Sequence, residues 1–251
     1  TSPTQIEWNI SLVKADQVWL AGFTGQNAVI GGQDTGYAWQ HPALINQYRG
    51  WDGSSADHNY NWHDAIHTLD AHNSGSNACG LDSTAPCDDY GHGTHTMGTI
   101  TGADEAGKQI GMAPGARWIG CRNMERGWGK PSTYAECYQW FIAPTKLDGS
   151  NPDPAKAPDI INNSWYCPPS EGCTDPGVLL AVVRSVTATG ILSVQSAGNS
   201  GPQCSTIQHP AAIYAESFTV ANTDQGDFLA VNSSRGPVII DNSGRGKPDV
   251  A

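Results

Sequence analysis

Short apolar segments alternate with amphipathic segments along the chain, and this alternation constrains the fold more than any other feature of the sequence. Segments with helical spacing lie at residues 133–141 and after Asp175. Strands that alternate with helices predict an α/β fold with a mostly parallel sheet and helices on both faces. The predicted buried strands lie at residues 28–30, 117–121, 159–162, 191–196 and 217–221.

Both predicted helices have recognisable ends. Thr133 and Glu136 fit a capping box, which predicts that the first helix begins at Thr133. In the second helix, Asp175 is the predicted N-cap, Pro176 the first helical residue and Gly190 the residue that ends it. The apolar stripe of the second helix consists of Val178, Leu179, Val182, Val183 and Val186.

The charge and composition of the chain argue against several functional classes. Its 251 residues include 13 Lys and Arg against 24 Asp and Glu, which gives a formal net charge of −11. Nucleic acids and anionic membrane surfaces bind clustered Lys and Arg, so neither is an expected partner. No run approaches the roughly 18 apolar residues of a membrane-spanning helix. We expect one acidic globular domain over residues 1–251, with no internal linker.

Seven cysteines indicate an oxidising compartment and therefore a secreted protein. Structural zinc is the alternative, although the cysteines lack C-x-x-C spacing. Seven is an odd number, so at least one thiol, most simply that of Cys204, has no partner within these residues. The candidate disulfide pairs are Cys79 with Cys87, Cys121 with Cys137, and Cys167 with Cys173.

Residues 50–90 are rich in Asp, His, Asn and Ser, and we interpret them as a long surface insertion pinned by a Cys79–Cys87 bridge. Their carboxylates could hold a hard cation such as calcium, but a solvated acidic loop is the simpler interpretation. The histidines of this stretch are interpreted as loop residues rather than metal ligands. The carboxylates in question are Asp52, Asp57, Asp64, Asp70, Asp82, Asp88 and Asp89.

Three polar motifs are predicted to lie beyond the carboxyl ends of strands, where open α/β sheets carry their binding and catalytic residues. Asp34 follows the first strand, where a carboxylate can orient an imidazole. His92 lies between two glycines at a predicted helix start, from which its ring can face a cleft. Asn199 follows the strand at 191–196, and its amide can stabilise a developing oxyanion.

Each motif also has a simpler interpretation. Asp-Thr-Gly and Gly-Asn are common turn sequences. His92 and His95 could form a metal pair, although no carboxylate follows them at the H-E-x-x-H spacing. The three motifs together are more specific than any one of them.

In this order, Asp34, His92 and Asn199 resemble the subtilisin-like serine peptidases. The resemblance implies a subtilisin-like α/β fold and an endopeptidase that hydrolyses peptide bonds with an Asp-His-Ser triad. It implies a protein or peptide substrate and no cofactor for the chemistry. Matching segments cover nearly all of the chain, including residues 111–116, 162–165, 233–237 and 247–251.

The resemblance also implies roles for individual residues. Asp34 would hold the imidazole, His92 would act as general base and then acid, and Asn199 would donate to the oxyanion. His95 is interpreted as structural. The implied substrate-binding residues are Ser164, Trp165 and Tyr166 on one edge, Gly127, Trp128 and Gly129 on the opposite edge, and Ser196, Ala197 and Gly198 in the wall of the primary specificity pocket.

The sequence departs from the family in one decisive respect, because no Gly-Thr-Ser-Met nucleophile motif occurs within residues 1–251. We therefore expect a fold that is incomplete at its C-terminus, with the serine on a companion polypeptide that Cys204 could bridge. The alternative is an inert fragment or pseudoenzyme that only binds peptides. A smaller departure is Ala43, which stands where a calcium ligand is expected and so puts the usual structural calcium site in doubt.

Overall fold

The computed structural model describes residues 5–73, 77–104 and 107–251. The helices in this part of the chain are α1 (Trp8–Leu12), α2 (Ala15–Leu20), α3 (His92–Thr101), α4 (Pro131–Ile142) and α5 (Leu180–Ala188). The strands there are β1 (Gln5–Ile6), β2 (Val29–Asp34), β3 (Trp62–Asp64), β4 (Lys108–Gln109), β5 (Arg117–Arg122), β6 (Met124–Glu125), β7 (Trp128–Gly129), β8 (Ile160–Asn163), β9 (Leu192–Ser196) and β10 (Phe218–Val220).

A six-stranded parallel sheet forms the centre of the molecule, in the order β10-β9-β8-β2-β5-β3. Strand β2 lies inside the sheet: it pairs along its whole length with β5 on one side, and its residues 30–32 pair with β8 on the other. Two small sheets accompany it: β1 pairs with β4 in parallel, and β6 pairs with β7 as an antiparallel hairpin.

Helices cover both faces of this sheet, as two adjacent glycines of β2 make clear. Successive strand residues point to opposite faces. A Cβ atom on Gly31 would lie 2.8 Å from Phe141 of α4, whereas one on Gly32 would lie 2.7 Å from Met97 of α3. The predicted α/β fold, with a mostly parallel sheet and helices on both faces, is confirmed.

Helix α4 begins two residues earlier than predicted, at Pro131. Thr133 is the third helical residue rather than the N-cap, and its hydroxyl accepts the Lys130 N–H at 3.0 Å. The prediction of a capping box between Thr133 and Glu136 is therefore wrong, since Glu136 contacts His63 instead, at 2.7 Å.

Helix α5 begins later than predicted, at Leu180, so Asp175 is not its N-cap. The Asp175 carboxylate accepts the Gly177 N–H at 2.8 Å and forms a turn. The Tyr214 hydroxyl accepts the Leu179 N–H at 3.2 Å and donates to the Pro176 carbonyl at 2.7 Å, which holds this segment outside the helix. Leu179, Val183 and Val186 are buried as predicted, whereas Val178 is exposed and Val182 only partly buried.

The predicted surface insertion at 50–90 contributes directly to the core. Its residues 62–64 form β3, the edge strand of the central sheet, and Trp62 is fully buried. Arg122 of β5 is fully buried as well and forms ion pairs with Asp64 at 3.1 Å and with Asp89 at 2.7 Å. Residues 74–76 of the insertion lie outside the described residues.

The cysteines are joined in the three candidate pairs: Cys79 with Cys87, Cys121 with Cys137, and Cys167 with Cys173. The second bridge links β5 to α4 within the core, because both of its cysteines are fully buried. Cys204 is exposed and carries no disulfide in the described part of the chain. None of the helices in the described ranges has the length and apolar character needed to cross a bilayer.

Candidate active site

Asp34 is the last residue of the central strand β2, and it is fully buried. Its Oδ1 atom accepts the Thr35 N–H at 2.7 Å and lies 2.7 Å from Nδ1 of His92. Its Oδ2 atom accepts the Thr96 hydroxyl at 3.3 Å. These contacts fix the carboxylate in one orientation beneath the imidazole.

His92 is the first residue of α3, and Gly91 before it has a φ of +88°. This left-handed conformation favours glycine and turns the chain sharply into the helix. Because a carboxylate only accepts hydrogen bonds, the His92 Nδ1 atom carries the proton and Nε2 keeps its lone pair. The His92 side chain is 42% exposed, whereas Asp34 is fully buried. The ring can therefore exchange protons with a bound molecule.

The hydrogen bond from His92 to Asp34 raises the pKa of the imidazole. Partial burial acts in the opposite direction, and the negative charges of Asp34 and Asp88 add to the rise. A histidine with a raised pKa is a stronger base once it is deprotonated, as a general base requires.

Asp88 joins the end of β2 to the start of α3. Its carboxylate accepts the Thr35 hydroxyl at 2.8 Å, the Gly91 N–H at 2.7 Å and both the N–H and the hydroxyl of Thr94, at 2.9 Å and 2.5 Å. Burial raises the pKa of Asp88, but these hydrogen bonds outweigh it and lower the pKa overall. Sequence reasoning considered Asp88 only as a cation ligand and missed this structural role.

A cleft of about 560 Å³ opens beside His92. Its walls come from the segments that follow β8 and β9 and from the β6–β7 hairpin. Most of the predicted site residues lie together along it, namely His92, Asn199, Ser164, Trp165, Tyr166, Ser196, Gly127 and Trp128. An extended peptide can lie between two such edges and pair with them as an added strand.

Asn199 occupies an exposed turn immediately after β9. Ser234 holds this turn on both sides, since its N–H donates to the Gly198 carbonyl at 2.9 Å and its hydroxyl accepts the Ser200 N–H at 2.9 Å. Gly198 has a φ of +99°, which again favours glycine. The turn presents the Asn199 amide to the same cleft as His92.

Three predicted substrate-binding residues do not line this cleft. Gly129 pairs with Met124 inside the hairpin. Ala197 and Gly198 face a separate cavity of about 10 Å³ behind Tyr166. They shape the turn before Asn199 rather than the cleft wall.

Several cleft residues were missed by the sequence analysis, because their positions depend on loop packing. The ring of His209 stacks on that of Tyr166 with their centroids 5.1 Å apart, and burial lowers the pKa of His209. Glu171 enters the cleft from the loop closed by Cys167 and Cys173. The other lining residues that were not among the predicted site residues are Thr35, Tyr90, Met124, Arg126, Pro168 and Ser170.

The acidic residues of the 50–90 stretch are held mainly by neighbouring protein groups. Among the described residues, no three His, Cys, Asp or Glu side chains converge so that they could hold a metal ion. Protein groups engage these carboxylates instead. Asp52 accepts from Ser54 and Ser55, Asp57 from Asn59, Asp70 from His72, and Asp82 contacts His67. Asp64 and Asp89 pair with Arg122, as described above.

Comparison with known proteins gives a consistent picture. The model of the Subtilase family matches residues 25–251. Bacillopeptidase F of Bacillus subtilis (strain 168) is 34% identical over an alignment of 256 positions that covers 98% of this chain and 16% of that protein. Serine protease AprX of the same organism is 33% identical over 66% of this chain and 38% of its own length. Subtilisin DY of Bacillus licheniformis is 26% identical over 91% of this chain and 69% of its own. The chain thus spans much less than the full length of the first two relatives.

Proposed function

The chain belongs to the subtilase family, and from this we propose that it supplies the general base, the oxyanion donor and the peptide-binding cleft of a secreted serine endopeptidase. The observation that carries the proposal is the hydrogen bond between Asp34 and His92 at one cleft, with Asn199 on the same cleft. A protein that only binds peptides does not require a buried carboxylate hydrogen-bonded to an exposed imidazole.

In this proposal, Nε2 of His92 removes the proton from a serine hydroxyl as the serine oxygen attacks the scissile carbonyl carbon. The buried Asp34 stabilises the imidazolium that forms. His92 then donates its proton to the leaving amine, which breaks the peptide bond and leaves an acyl-enzyme. Water, deprotonated by the same imidazole, hydrolyses the ester and restores the serine.

Asn199 is proposed to donate its side-chain N–H to the oxygen that becomes negatively charged in the tetrahedral intermediate. A donor of this kind stabilises the transition state more than the ground state, and its loss lowers turnover by roughly 10²–10³-fold. The residues 164–166 and the hairpin turn at Gly127 and Trp128 are proposed to bind the extended peptide on its two sides.

The nucleophilic serine is proposed to come from polypeptide outside residues 1–251. An apolar groove of about 970 Å³ supports this proposal. It runs along α3, beside His95 and Gly98, and reaches Ile110, Met112 and Val220. A segment packed there would lie next to His92, which precedes His95 by one helical turn.

Secretion is proposed because three disulfides persist in oxidising compartments and are rare in the cytosol.

A serine-reactive fluorophosphonate tests the proposed function. We expect it to label a polypeptide in the native preparation, and His92→Ala to abolish the labelling. His67→Ala is the matched control, because His67 lies outside the cleft and should leave labelling intact. Intact-mass analysis with and without reductant then shows whether the labelled serine is on a separate chain and whether a disulfide links it. Absence of any labelled polypeptide in the native preparation would contradict the proposed function and support the alternative of an inert fragment or pseudoenzyme that only binds peptides.

A further inference from the structure

Glu171 is the one acidic side chain among the described residues that line the cleft. It ends the short 3-10 helix Pro169–Glu171 inside the loop that Cys167 and Cys173 close. Its N–H donates to the Pro168 carbonyl at 3.0 Å. The disulfide and this turn fix the backbone that carries the carboxylate.

The Glu171 carboxylate is held by two neutral donors. Oε2 accepts the Tyr134 hydroxyl at 2.7 Å, and Oε1 accepts the Gly129 N–H at 3.4 Å. A carboxylate has about four acceptor sites, so further sites are open to a ligand. Among the described residues, no Lys or Arg forms an ion pair with Glu171. When ionised, it therefore brings an uncompensated negative charge to the cleft.

The charges around Glu171 do not neutralise it. Asp70, on a neighbouring loop, adds negative potential, and its own cation partner is Lys130, whose Nζ lies 3.5 Å away. His72 on the same loop is 2.8 Å from Asp70 and only weakly favours the ionised form of Glu171. Arg126 lines the same cleft from the hairpin turn without pairing with Glu171.

Two tryptophans line the cleft together with Glu171. The Trp165 ring stacks on that of Tyr134, with their centroids 4.0 Å apart. The Trp128 ring stacks on His72, with their centroids 4.2 Å apart and their planes within 7°. A carboxylate in a cleft that is also lined by aromatic side chains is suited to a Lys or Arg side chain, because both kinds of group attract a cation.

We propose that Glu171, with Trp128 and Trp165, forms a subsite that selects a Lys or Arg side chain of the peptide substrate. This inference rests on the proposed function, because it assigns a specificity to the same cleft. A bound Lys or Arg side chain neutralises the charge of the partly buried Glu171 carboxylate, whereas a neutral side chain leaves that charge without a cation.

Two matched peptide series test the proposal with the complete peptidase. Each series places either lysine or the neutral norleucine at one position of an otherwise constant peptide, and the position is moved along the sequence. We expect one position at which kcat/KM favours lysine by about tenfold or more. Glu171→Gln, which keeps the shape of the side chain and an acceptor oxygen, should abolish the preference. Glu216→Gln is the control, since Glu216 lies outside the cleft.

The pH dependence of this preference separates recognition from a merely structural role. Burial raises the pKa of Glu171 to about 7, although the hydrogen bonds from Tyr134 and Gly129 lower it. The lysine-to-norleucine ratio should therefore increase between pH 6 and 8, as the carboxyl group ionises. The ionisation of His92 affects both substrates and cancels in the ratio. The ratio should not change with pH in Glu171→Gln.

The proposal is overturned if no position favours lysine, or if Glu171→Gln slows both peptides equally. A preparation that cleaves no peptide contradicts the proposed function instead. In that case, the affinities of the protein for the two peptides, measured by tryptophan fluorescence, test the proposed subsite. The subsite is supported if the unmodified protein, but not Glu171→Gln, binds the lysine peptide more tightly than the norleucine peptide. Equal binding of the two peptides by the unmodified protein overturns it.

Discussion

The Thr35 hydroxyl donates to the Asp88 carboxylate at 2.8 Å and accepts the Gly93 N–H at 3.0 Å. Thr35 directly follows Asp34, and Gly93 directly follows His92. One hydroxyl group therefore connects the strand end that carries the acid to the helix start that carries the base.

We predict that Thr35→Val lowers both stability and turnover. The substitution keeps the shape of the side chain but leaves the buried Gly93 N–H without its acceptor. The free energy of unfolding should fall by about 1–3 kcal/mol in urea denaturation. In steady-state kinetics, kcat should fall more than KM rises, because the alignment of His92 is disturbed. Thr35→Ser, which restores the hydroxyl, should recover both, and an unchanged kcat in Thr35→Val would contradict this role.

We predict that Asp34→Asn lowers kcat at neutral pH by about 10⁴-fold. The substitution also changes the pH profile. Since the hydrogen bond to Asp34 raises the pKa of His92, the base is lost as pH falls through that raised pKa. Without the carboxylate, the pKa of His92 decreases, and the acidic limb of kcat/KM should move to lower pH. Measurements of kcat/KM from pH 5 to 9 and an NMR titration of the His92 ring check this shift. An acidic limb that stays at the same pH in Asp34→Asn argues against His92 as the base.

We predict that Asn199→Ala lowers kcat by about 10²–10³-fold with little change in KM, because the amide acts mainly on the transition state. Asn46→Ala is the matched control, since Asn46 is also exposed and lies outside the cleft. A loss confined to KM would show that Asn199 binds the substrate but does not stabilise the oxyanion.

We predict that Arg122→Leu destabilises the fold by about 3–5 kcal/mol, because it leaves the buried carboxylates of Asp64 and Asp89 without a cation. Arg184→Leu is a suitable comparison, since Arg184 pairs with Glu216 at an exposed site and should change stability by at most about 1 kcal/mol. Urea denaturation of both variants measures the difference. Equal effects of the two substitutions would contradict a structural role for the buried ion pairs.

The parts of the fold that follow from local sequence were predictable. Apolar segments bounded by turns predicted both ends of β5, β8, β9 and β10 within one residue, whereas β2 extends four residues beyond its predicted end. Asp34 and Asn199 stood out because they follow such strands, and parallel strands bring their carboxyl ends to one edge of the sheet.

The remaining features depend on contacts between distant residues. Strand β3 has no apolar periodicity and is held by its pairing with β5 and by the ion pair from Arg122 to Asp64. Helix α5 has good capping residues at Asp175 and Pro176, but a hydroxyl 35 residues away takes the Leu179 N–H. Glu171 has no local signal, because its partner Tyr134 lies 37 residues away in the chain.

The two glycines of β2 determine how thick the molecule can be beneath its active site. A methyl group on Gly32 would collide with the Tyr37 hydroxyl and with the end of the Met97 side chain, which belongs to the helix that begins with His92. Because its side chain is a single hydrogen atom, Gly32 lets Tyr37 and this helix pack close to the strand two residues before Asp34. Substitutions far from the cleft can therefore still disturb the site, because they force the helix and the sheet apart.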